Sequence, residues 1–333
     1  MDYTRLLTRA AQITWRYKFL WIFGFLMALC GQGGGGRANF QVNYRTPTPF
    51  DSTSGPFEFP AFFPEPLGQT PVAVYLVAGL LFITIFALFS LIVGALGRSA
   101  LIKTVANIEA DQPVSLATSW QDGLAKARPL GLLQAILYSP LFIVAVVGLI
   151  VFLTQLLPFF DKLFQSMPNL EEEGALPPLL QDFFAFFPLF FGAICGLVCI
   201  TFIVQLVGGL FLTFGSRAIV LENAGIFGSF PRSWLLFRQN LGATLLLAVL
   251  VAIIGAIINV AAAIPVAVIA FPVMFSAVPD IFSESGPSLP TYFLLGSVAL
   301  FSMIVFSIVG GVLRVFIEAV WTLAYQEFVS RAN

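Results

Sequence analysis

The side chains that could carry out chemistry in this sequence are few. The chain contains no histidine, which removes the usual general base near neutral pH and the imidazole ligands of most zinc and haem sites. Cys195 and Cys199 are spaced to share one helix face, but two thiols without further ligands are typical of packing residues rather than of a metal site. No phosphate-binding loop, nucleophile elbow or carboxylate pair within one apolar run occurs. The sequence therefore predicts no enzyme and no bound metal or cofactor.

The acidic residues that cluster in the sequence are Glu171, Glu172 and Glu173, which lie between prolines. The spacing of calcium ligands in an EF-hand loop is absent around them. We therefore expect a solvated acidic loop rather than a calcium site.

Two neutral polar residues, Gln205 and Asn259, lie near the middle of long apolar runs. A pump or an ion-coupled carrier normally places ionisable groups at membrane depth, and the long apolar runs of this chain contain none. We expect Gln205 and Asn259 to form a mid-membrane polar pair that joins helices by hydrogen bonds. The alternative is that they line a path for a neutral or lipidic substrate.

Other polar residues belong to a motif that occurs three times in the sequence. It consists of a hydroxyl residue followed by Trp, a basic cluster, two apolar runs around an outer loop, and then Arg and Glu. The copies begin at Thr14–Trp15, Ser119–Trp120 and Ser233–Trp234, and they end at Arg98 with Glu109, Arg217 with Glu222 and Arg314 with Glu318. The motif predicts repeat units over residues 1–109, 110–222 and 223–333 of a single membrane domain, related by an axis along the membrane normal. The alternative is that the polar approaches to membrane spans simply look alike.

The ends of the motif predict contacts with the membrane surface. Because indole rings suit the headgroup level, Trp15, Trp120 and Trp234 are expected to be interfacial anchors. Arg98, Arg217 and Arg314 are predicted to anchor the spans at the inner leaflet and to contact anionic lipid headgroups, at about 1 kcal/mol for each residue near the surface. Arg314 and Glu318 are four residues apart, so they could also pair on one helix.

Composition indicates the class of protein. Hydrophobic residues make up 59% of the chain and charged residues 10%, which is typical of a membrane protein. Five uncharged runs exceed the about 20 residues that cross a bilayer: 72–96, 130–160, 183–215, 241–277 and 289–313. A sixth run, 19–30, is shorter; it could be a signal peptide or end in a lipidated Cys30, but we expect a helix that extends back through Trp15 and Tyr17 to spanning length.

The distribution of lysine and arginine predicts the orientation of the spans. Basic residues concentrate before the first run, between alternate pairs of runs and after the last one. The predicted outer loops, 31–71, 159–182 and 278–290, hold only Arg37, Arg45 and Lys162. We therefore predict an all-α integral membrane protein with six transmembrane helices as three similarly oriented hairpins and both termini cytoplasmic.

Helices that lie in the interface are predicted on the cytoplasmic side. Over residues 114–127, Leu116, Trp120 and Leu124 recur at helical spacing while the polar residues fall elsewhere on the wheel. Ser229 and Ser233–Trp234 repeat the pattern in the third copy of the motif. Each stretch is predicted to be an amphipathic helix parallel to the membrane surface.

The stretch Arg217-Ala218-Ile219-Val220-Leu221-Glu222-Asn223, continued by Ser229 to Trp234 and by Arg238-Gln239-Asn240, resembles a bacterial family. It is similar to the polytopic membrane domain that precedes glycerophosphoryl diester phosphodiesterases, and to stand-alone relatives of undefined function. The resemblance covers this stretch and its flanking spans and extends weakly over residues 98–120. The catalytic domain of those enzymes would imply a soluble barrel with catalytic histidines, and this chain has neither. The resemblance thus implies a membrane scaffold and no functional residue.

These observations together predict a non-enzymatic inner-membrane protein. It would be a structural or accessory subunit of a membrane complex or a lipid-organising scaffold, because glycines such as Gly192 and Gly196 leave surfaces for close helix packing. The expected partners are membrane lipids and, for a subunit, other membrane proteins, but not nucleic acid. The alternative is a transporter or exporter of a neutral or lipidic substrate.

Overall fold

The computed structural model describes residues 2–29, 72–151, 176–281 and 288–332, and this part of the chain is helical apart from short connections. Its helices, in chain order, are α1 (Tyr3–Arg16), α2 (Leu20–Leu29), α3 (Val72–Glu109), α4 (Leu116–Val151), α5 (Leu176–Leu221), α6 (Ile226–Gln239), α7 (Leu241–Ile281) and α8 (Leu289–Ala332). Five stretches of these helices are long and apolar enough to cross a membrane: Leu80–Glu109, Leu116–Val144, Cys195–Leu221, Leu241–Asp280 and Leu289–Arg331. The predicted all-α class and its membrane character are confirmed.

The first apolar run does not form the long helix that the sequence predicted. Helix α1 ends at Arg16, where the backbone N–H of Tyr17 donates to the Ile13 carbonyl at 3.1 Å, and a turn at Lys18 separates it from α2. The described α2 has 10 residues, about 15 Å of helix and half of the hydrocarbon core. The predicted extension through Trp15 and Tyr17 is therefore wrong, and six membrane crossings stay a prediction. Cys30 lies outside the described residues.

The helices continue well past the apolar runs that predicted them. Helix α3 runs on through residues 97–109, about 20 Å, and α8 runs on through residues 314–332, about 28 Å. In α3 this continuation is amphipathic, since Leu101, Ile102, Val105 and Ile108 are buried at helical spacing. The arginines of the motif thus lie inside helices rather than at their ends.

Two of these helices end at residues with a left-handed backbone. Beyond α3, Asp111 has a φ of 52°, and beyond α5, Asn223 has a φ of 56°. Asp and Asn tolerate this conformation better than other residues with a side chain. The following N–H groups then bond back into the helix, from Gln112 to the Asn107 carbonyl at 2.9 Å and from Ala224 to the Ala218 carbonyl at 3.1 Å. The same device therefore ends the first two copies of the motif.

The segments predicted to lie in the interface differ from one another. Residues 116–127 do not form a separate helix, because they are the first turns of α4, which continues through Pro129 and Pro140. The third copy does have its own helix, α6, which ends at Asn240 immediately before α7. The prediction of a separate surface helix over residues 114–127 is therefore wrong, and for α6 it stays a prediction.

The predicted outer loops are shorter where the structure describes them. Helix α5 already begins at Leu176, inside the predicted loop 159–182. Helix α7 extends through three internal prolines to Ile281, and α8 begins at Leu289. The Asp280 carboxylate accepts hydrogen bonds from the Ser288 N–H at 2.8 Å and the Ser288 hydroxyl at 2.6 Å, which joins the two helix ends. Loop 31–71 lies outside the described residues.

Packing divides the chain into two compact units. The first unit comprises residues 1–17, 98–248 and 316–333, and the second comprises residues 18–97 and 249–315. The first unit thus collects the Trp-bearing and Glu-bearing ends of all three copies of the motif. The three sequential repeat units stay a prediction, since the packing follows a different division of the chain.

The core of the first unit joins α3 to α4 and α5 to α4 and α6. The Thr104 hydroxyl donates to the Ser119 hydroxyl at 2.8 Å, and the Ser99 hydroxyl donates to the Gly123 carbonyl at 2.8 Å. These buried bonds fix the last turns of α3 against the first turns of α4.

In the second unit, α2 and α8 touch at their backbones. A Cβ on Gly24 would lie 2.1 Å from the Gly311 carbonyl oxygen, and a Cβ on Gly311 would lie 2.9 Å from the Phe25 nitrogen. Only glycine permits this approach, which is typical of helices packed in a membrane.

Candidate functional site

A buried ion cluster joins three helices of the first unit. Arg98 of α3 donates through Nε to Glu318 Oε1 of α8 at 3.2 Å, and Arg217 of α5 donates through Nη2 to Glu318 Oε2 at 2.7 Å. The three side chains are at most 6% exposed. One carboxylate therefore holds two guanidinium groups that come from different helices. We call Arg98, Arg217 and Glu318 the Glu318 cluster.

Backbone oxygens complete much of the surroundings of Arg217. Its Nη2 also donates to the Glu318 carbonyl at 3.2 Å, and its Nη1 donates to the Thr213 carbonyl one turn earlier on α5. Beside it, the Phe214 ring packs against Trp321 at 6.1 Å and Phe328 at 6.2 Å, measured between ring centroids. The same two helices thus supply both the ion pair and the aromatic packing next to it.

The Glu318 cluster carries a net positive charge, since it has two guanidinium groups and one carboxylate. Arg98 Nη1 and Arg217 Nε are buried and have no hydrogen-bond partner among the described residues. A buried pair of this kind adds little net stability, because the cost of desolvation offsets the Coulomb attraction, but removing one partner is strongly destabilising. The arrangement fixes which helices meet rather than adding much to stability.

The burial of the motif arginines argues against the predicted headgroup contacts. Arg98, Arg217 and Arg314 are 5%, 1% and 7% exposed, so their guanidinium groups are enclosed by protein rather than presented to lipid. From the sequence, Arg314 was the arginine whose spacing suggested a pair with Glu318 on one helix. In the structure, Arg98 and Arg217 bind Glu318, which lies 220 and 101 residues away in the chain. The recurrence of an arginine after each inward run was the available signal for this cluster.

The other two glutamates of the motif pair near the surface with arginines that sequence reasoning missed. Arg9 Nε donates to Glu109 at 2.7 Å, and Arg232 Nε donates to Glu222 at 3.0 Å. These hydrogen bonds raise the pKa of the Arg9 and Arg232 guanidinium groups above the ordinary arginine value. The Tyr325 hydroxyl also donates to Glu222 at 2.7 Å. Partly exposed pairs such as these contribute about 1 kcal/mol or less.

The hydroxyl residue and the Trp that follows it have the same orientation in all three copies of the motif. Thr14, Ser119 and Ser233 are at most 2% exposed, whereas Trp15, Trp120 and Trp234 are 62%, 41% and 53% exposed. Thr14 donates to the Ala10 carbonyl at 2.9 Å, Ser233 donates to the Ser229 carbonyl at 2.6 Å, and Ser119 accepts from Thr104. Each copy therefore buries its hydroxyl in the first unit and turns its indole outward.

Comparison with known proteins gives a family but no activity. A family of unknown function, DUF7544, matches residues 2–329. The chain belongs to this family. No curated protein and no solved structure matches the chain. The resemblance to the membrane domain of the phosphodiesterases therefore stays a prediction.

In this DUF7544 member, the predicted polar pair lies on two helices. Gln205 is exposed on α5 in the first unit, while Asn259 donates to the Gly255 carbonyl at 2.8 Å within α7 of the second unit. The Asn259 amide is thus satisfied within its own helix, and its pairing with Gln205 stays a prediction.

The described part of this DUF7544 protein contains no group of side chains suited to binding a metal ion. Cys195 and Cys199 are free and exposed on α5. Among the described residues, no group of three or more histidine, cysteine, aspartate or glutamate side chains could hold a metal ion. The contacts that the described residues of the site do show are ion pairs between helices.

Proposed function

We propose that this protein is a non-enzymatic scaffold of the bacterial inner membrane, with both termini cytoplasmic. It would organise lipid around its helices and act as a structural or accessory part of a membrane assembly. The observation that carries the proposal is the threefold arrangement of a buried hydroxyl beside an exposed Trp. Each of the three outward indoles on this compact unit is suited to the headgroup region.

The motif charges support a structural role. The carboxylates of Glu109, Glu222 and Glu318 each bind an arginine of the protein itself. A catalytic acid or base needs access to its substrate, and the most buried of the three, Glu318, is held between two guanidinium groups. The ion pairs therefore serve helix assembly.

The short connections to the apolar helices support a position of the tryptophans near the membrane. Helix α6 carries Trp234 and is separated from the apolar helix α7 by Asn240 alone. Trp120 lies within α4 itself, ten residues before the apolar run that begins at Leu130. Since both residues are within about 15 Å of helix from an apolar run, they lie close to the headgroups if those runs cross the bilayer.

Quenching of tryptophan fluorescence by brominated lipids tests this proposal. A set of variants would each keep one of the five tryptophans and have Phe in place of the other four. Each variant would be placed in vesicles whose lipids carry bromine at a known depth. We expect Trp15, Trp120 and Trp234 to be quenched most by shallow bromines, and Trp321, which packs against Phe214, to be quenched least. If shallow bromines leave the three outward tryptophans unquenched, the proposal is wrong.

Purification of the intact chain from native membranes in mild detergent tests the scaffold role itself. Retained lipid, or a stoichiometric partner protein, supports a scaffold or a complex subunit respectively. Uptake of a neutral or lipidic compound into vesicles that contain only this protein would contradict the proposal and favour transport.

A further inference from the structure

A second set of arginines in the first unit differs from the buried ones in both exposure and partners. Arg16, Arg128 and Arg238 are exposed and make no ion pair with the described residues. By contrast, the side chains of Arg9, Arg232 and Arg331, which are 44%, 30% and 49% exposed, each lie 2.6–3.0 Å from a carboxylate of the protein. The first set is therefore available to an external anion, and the second set is already neutralised.

Arg16, Arg128 and Arg238 come in the same order in each copy of the motif, one, eight and four residues after the outward Trp. Each one follows the outward Trp and precedes an apolar segment: Arg16 comes before α2 at Leu20, Arg128 before the run at Leu130, and Arg238 before α7 at Leu241. The separation along the chain from the arginine to the apolar segment is two to four residues. An exposed guanidinium at this position reaches the depth of the lipid phosphates if the apolar segments enter the bilayer.

We propose that Arg16, Arg128 and Arg238 each hold the headgroup of an anionic phospholipid beside the neighbouring tryptophan. This inference rests on the proposed membrane scaffold, and it assigns lipid contact to the exposed arginines in place of the buried Arg98 and Arg217. A guanidinium presents paired N–H groups that match two phosphate oxygens, so it binds a phosphodiester in a defined orientation. The attraction near a membrane surface corresponds to about a fivefold preference for an anionic over a zwitterionic headgroup at each arginine.

The test compares the lipid shell of the full chain with that of two matched triple variants. The first variant, R16Q/R128Q/R238Q, removes the unpaired arginines. The control, R9Q/R232Q/R331Q, removes the same number of charges from exposed or partly exposed arginines that already have carboxylate partners. Each protein is extracted from vesicles of phosphatidylglycerol and phosphatidylcholine, and the ratio of the two retained lipids is measured by mass spectrometry.

We expect the wild type to retain phosphatidylglycerol several-fold above its share of the vesicle. The first variant should lose most of this enrichment, and the control should keep it. A third variant, R16K/R128K/R238K, keeps the charges and should retain much of the enrichment, which shows that loss in the first variant does not come from misfolding. Equal enrichment in the wild type and the first variant, or equal loss in the control, overturns the inference.

The tryptophan measurement separates this inference from the proposed function. If the outward tryptophans are quenched by shallow bromines but the first variant keeps its phosphatidylglycerol, the scaffold stands and the arginine assignment fails. If the tryptophans are not quenched, the scaffold itself fails.

Discussion

Replacement of Glu318 by glutamine should destabilise the protein more than any other single change of charge among the motif glutamates. The glutamine nearly preserves the volume of the side chain but removes the negative charge that Arg98 and Arg217 share. Breaking a buried ion pair by removing one partner costs about 3–5 kcal/mol, because the other charge is left buried without compensation. Here two guanidinium groups lose the same carboxylate, so we expect a loss at the upper end of that range.

The matched control is Glu109→Gln, which breaks the pair with Arg9. In that pair the side chains are 44% and 29% exposed, so its loss should cost about 1 kcal/mol or less. Both variants would be compared with the wild type by denaturant unfolding in detergent, followed by far-UV circular dichroism and by the fluorescence of the tryptophans. If Glu318→Gln lowers the free energy of unfolding no more than Glu109→Gln does, the buried cluster does not join the helices as described.

A combined replacement separates the cost of leaving a buried charge unpaired from the net contribution of the ion pairs to stability. Changing Arg98 and Arg217 to Met together with Glu318 to Leu removes all three charges of the Glu318 cluster at once. Such replacements are often neutral or stabilising by about 1–4 kcal/mol when the apolar side chains pack well. We therefore expect the triple variant to be more stable than Glu318→Gln alone. A triple variant that is even less stable would mean that the ion pairs contribute net stability, contrary to the account given above.

Two further predictions concern packing. Gly24→Ala should destabilise the protein by about 1–3 kcal/mol despite the higher helix propensity of alanine, because the new Cβ would lie 2.1 Å from the Gly311 carbonyl oxygen; Gly192→Ala, with nothing within 4 Å of its Cβ, is the control, and equal thermal stability of the two variants contradicts the contact. Phe214→Ala should cost about 3–5 kcal/mol, since its ring is 2% exposed, whereas Phe227→Ala, at 80% exposure, should change the unfolding free energy little; a small loss for both would show that the aromatic packing is loose.

The helices themselves were largely predictable from the sequence. Uncharged runs of more than about 20 residues have few structural alternatives, because backbone polar groups in lipid must bond within the segment. The ends of the helices were less predictable. The sequence placed the end of one run at Leu96, but α3 continues to Glu109 because its later apolar residues change from a continuous run to an amphipathic pattern that packs on α4.

The partners of the charged residues could not be read from the sequence. Arg314 and Glu318 are four residues apart on one helix, a spacing that local rules recognise at once. The bonds from Arg98 and Arg217 to Glu318 join residues 220 and 101 positions apart, and only tertiary packing brings them together. The same limit explains why the headgroup contacts were assigned to these arginines: the sequence shows that a basic residue ends an apolar run but not whether protein or lipid surrounds it.

The motif combines two kinds of position whose physical demands are opposite. The inward positions, Thr14, Ser119 and Ser233, are buried in the first unit in all three copies. The outward position beside each of them is always a tryptophan, the residue type suited to the membrane–water interface. The acidic position does not repeat in this way. Counting four residues from the motif arginine gives Ile102 in the first copy, Leu221 in the second and Glu318 in the third. The Glu318 carboxylate binds the motif arginines of the first two copies, Arg98 and Arg217. Among the described residues, Glu318 is the one buried carboxylate. Because a second one would offer Arg98 or Arg217 a rival partner, this position distinguishes the third copy of the motif from the other two, although all three copies turn a tryptophan outward.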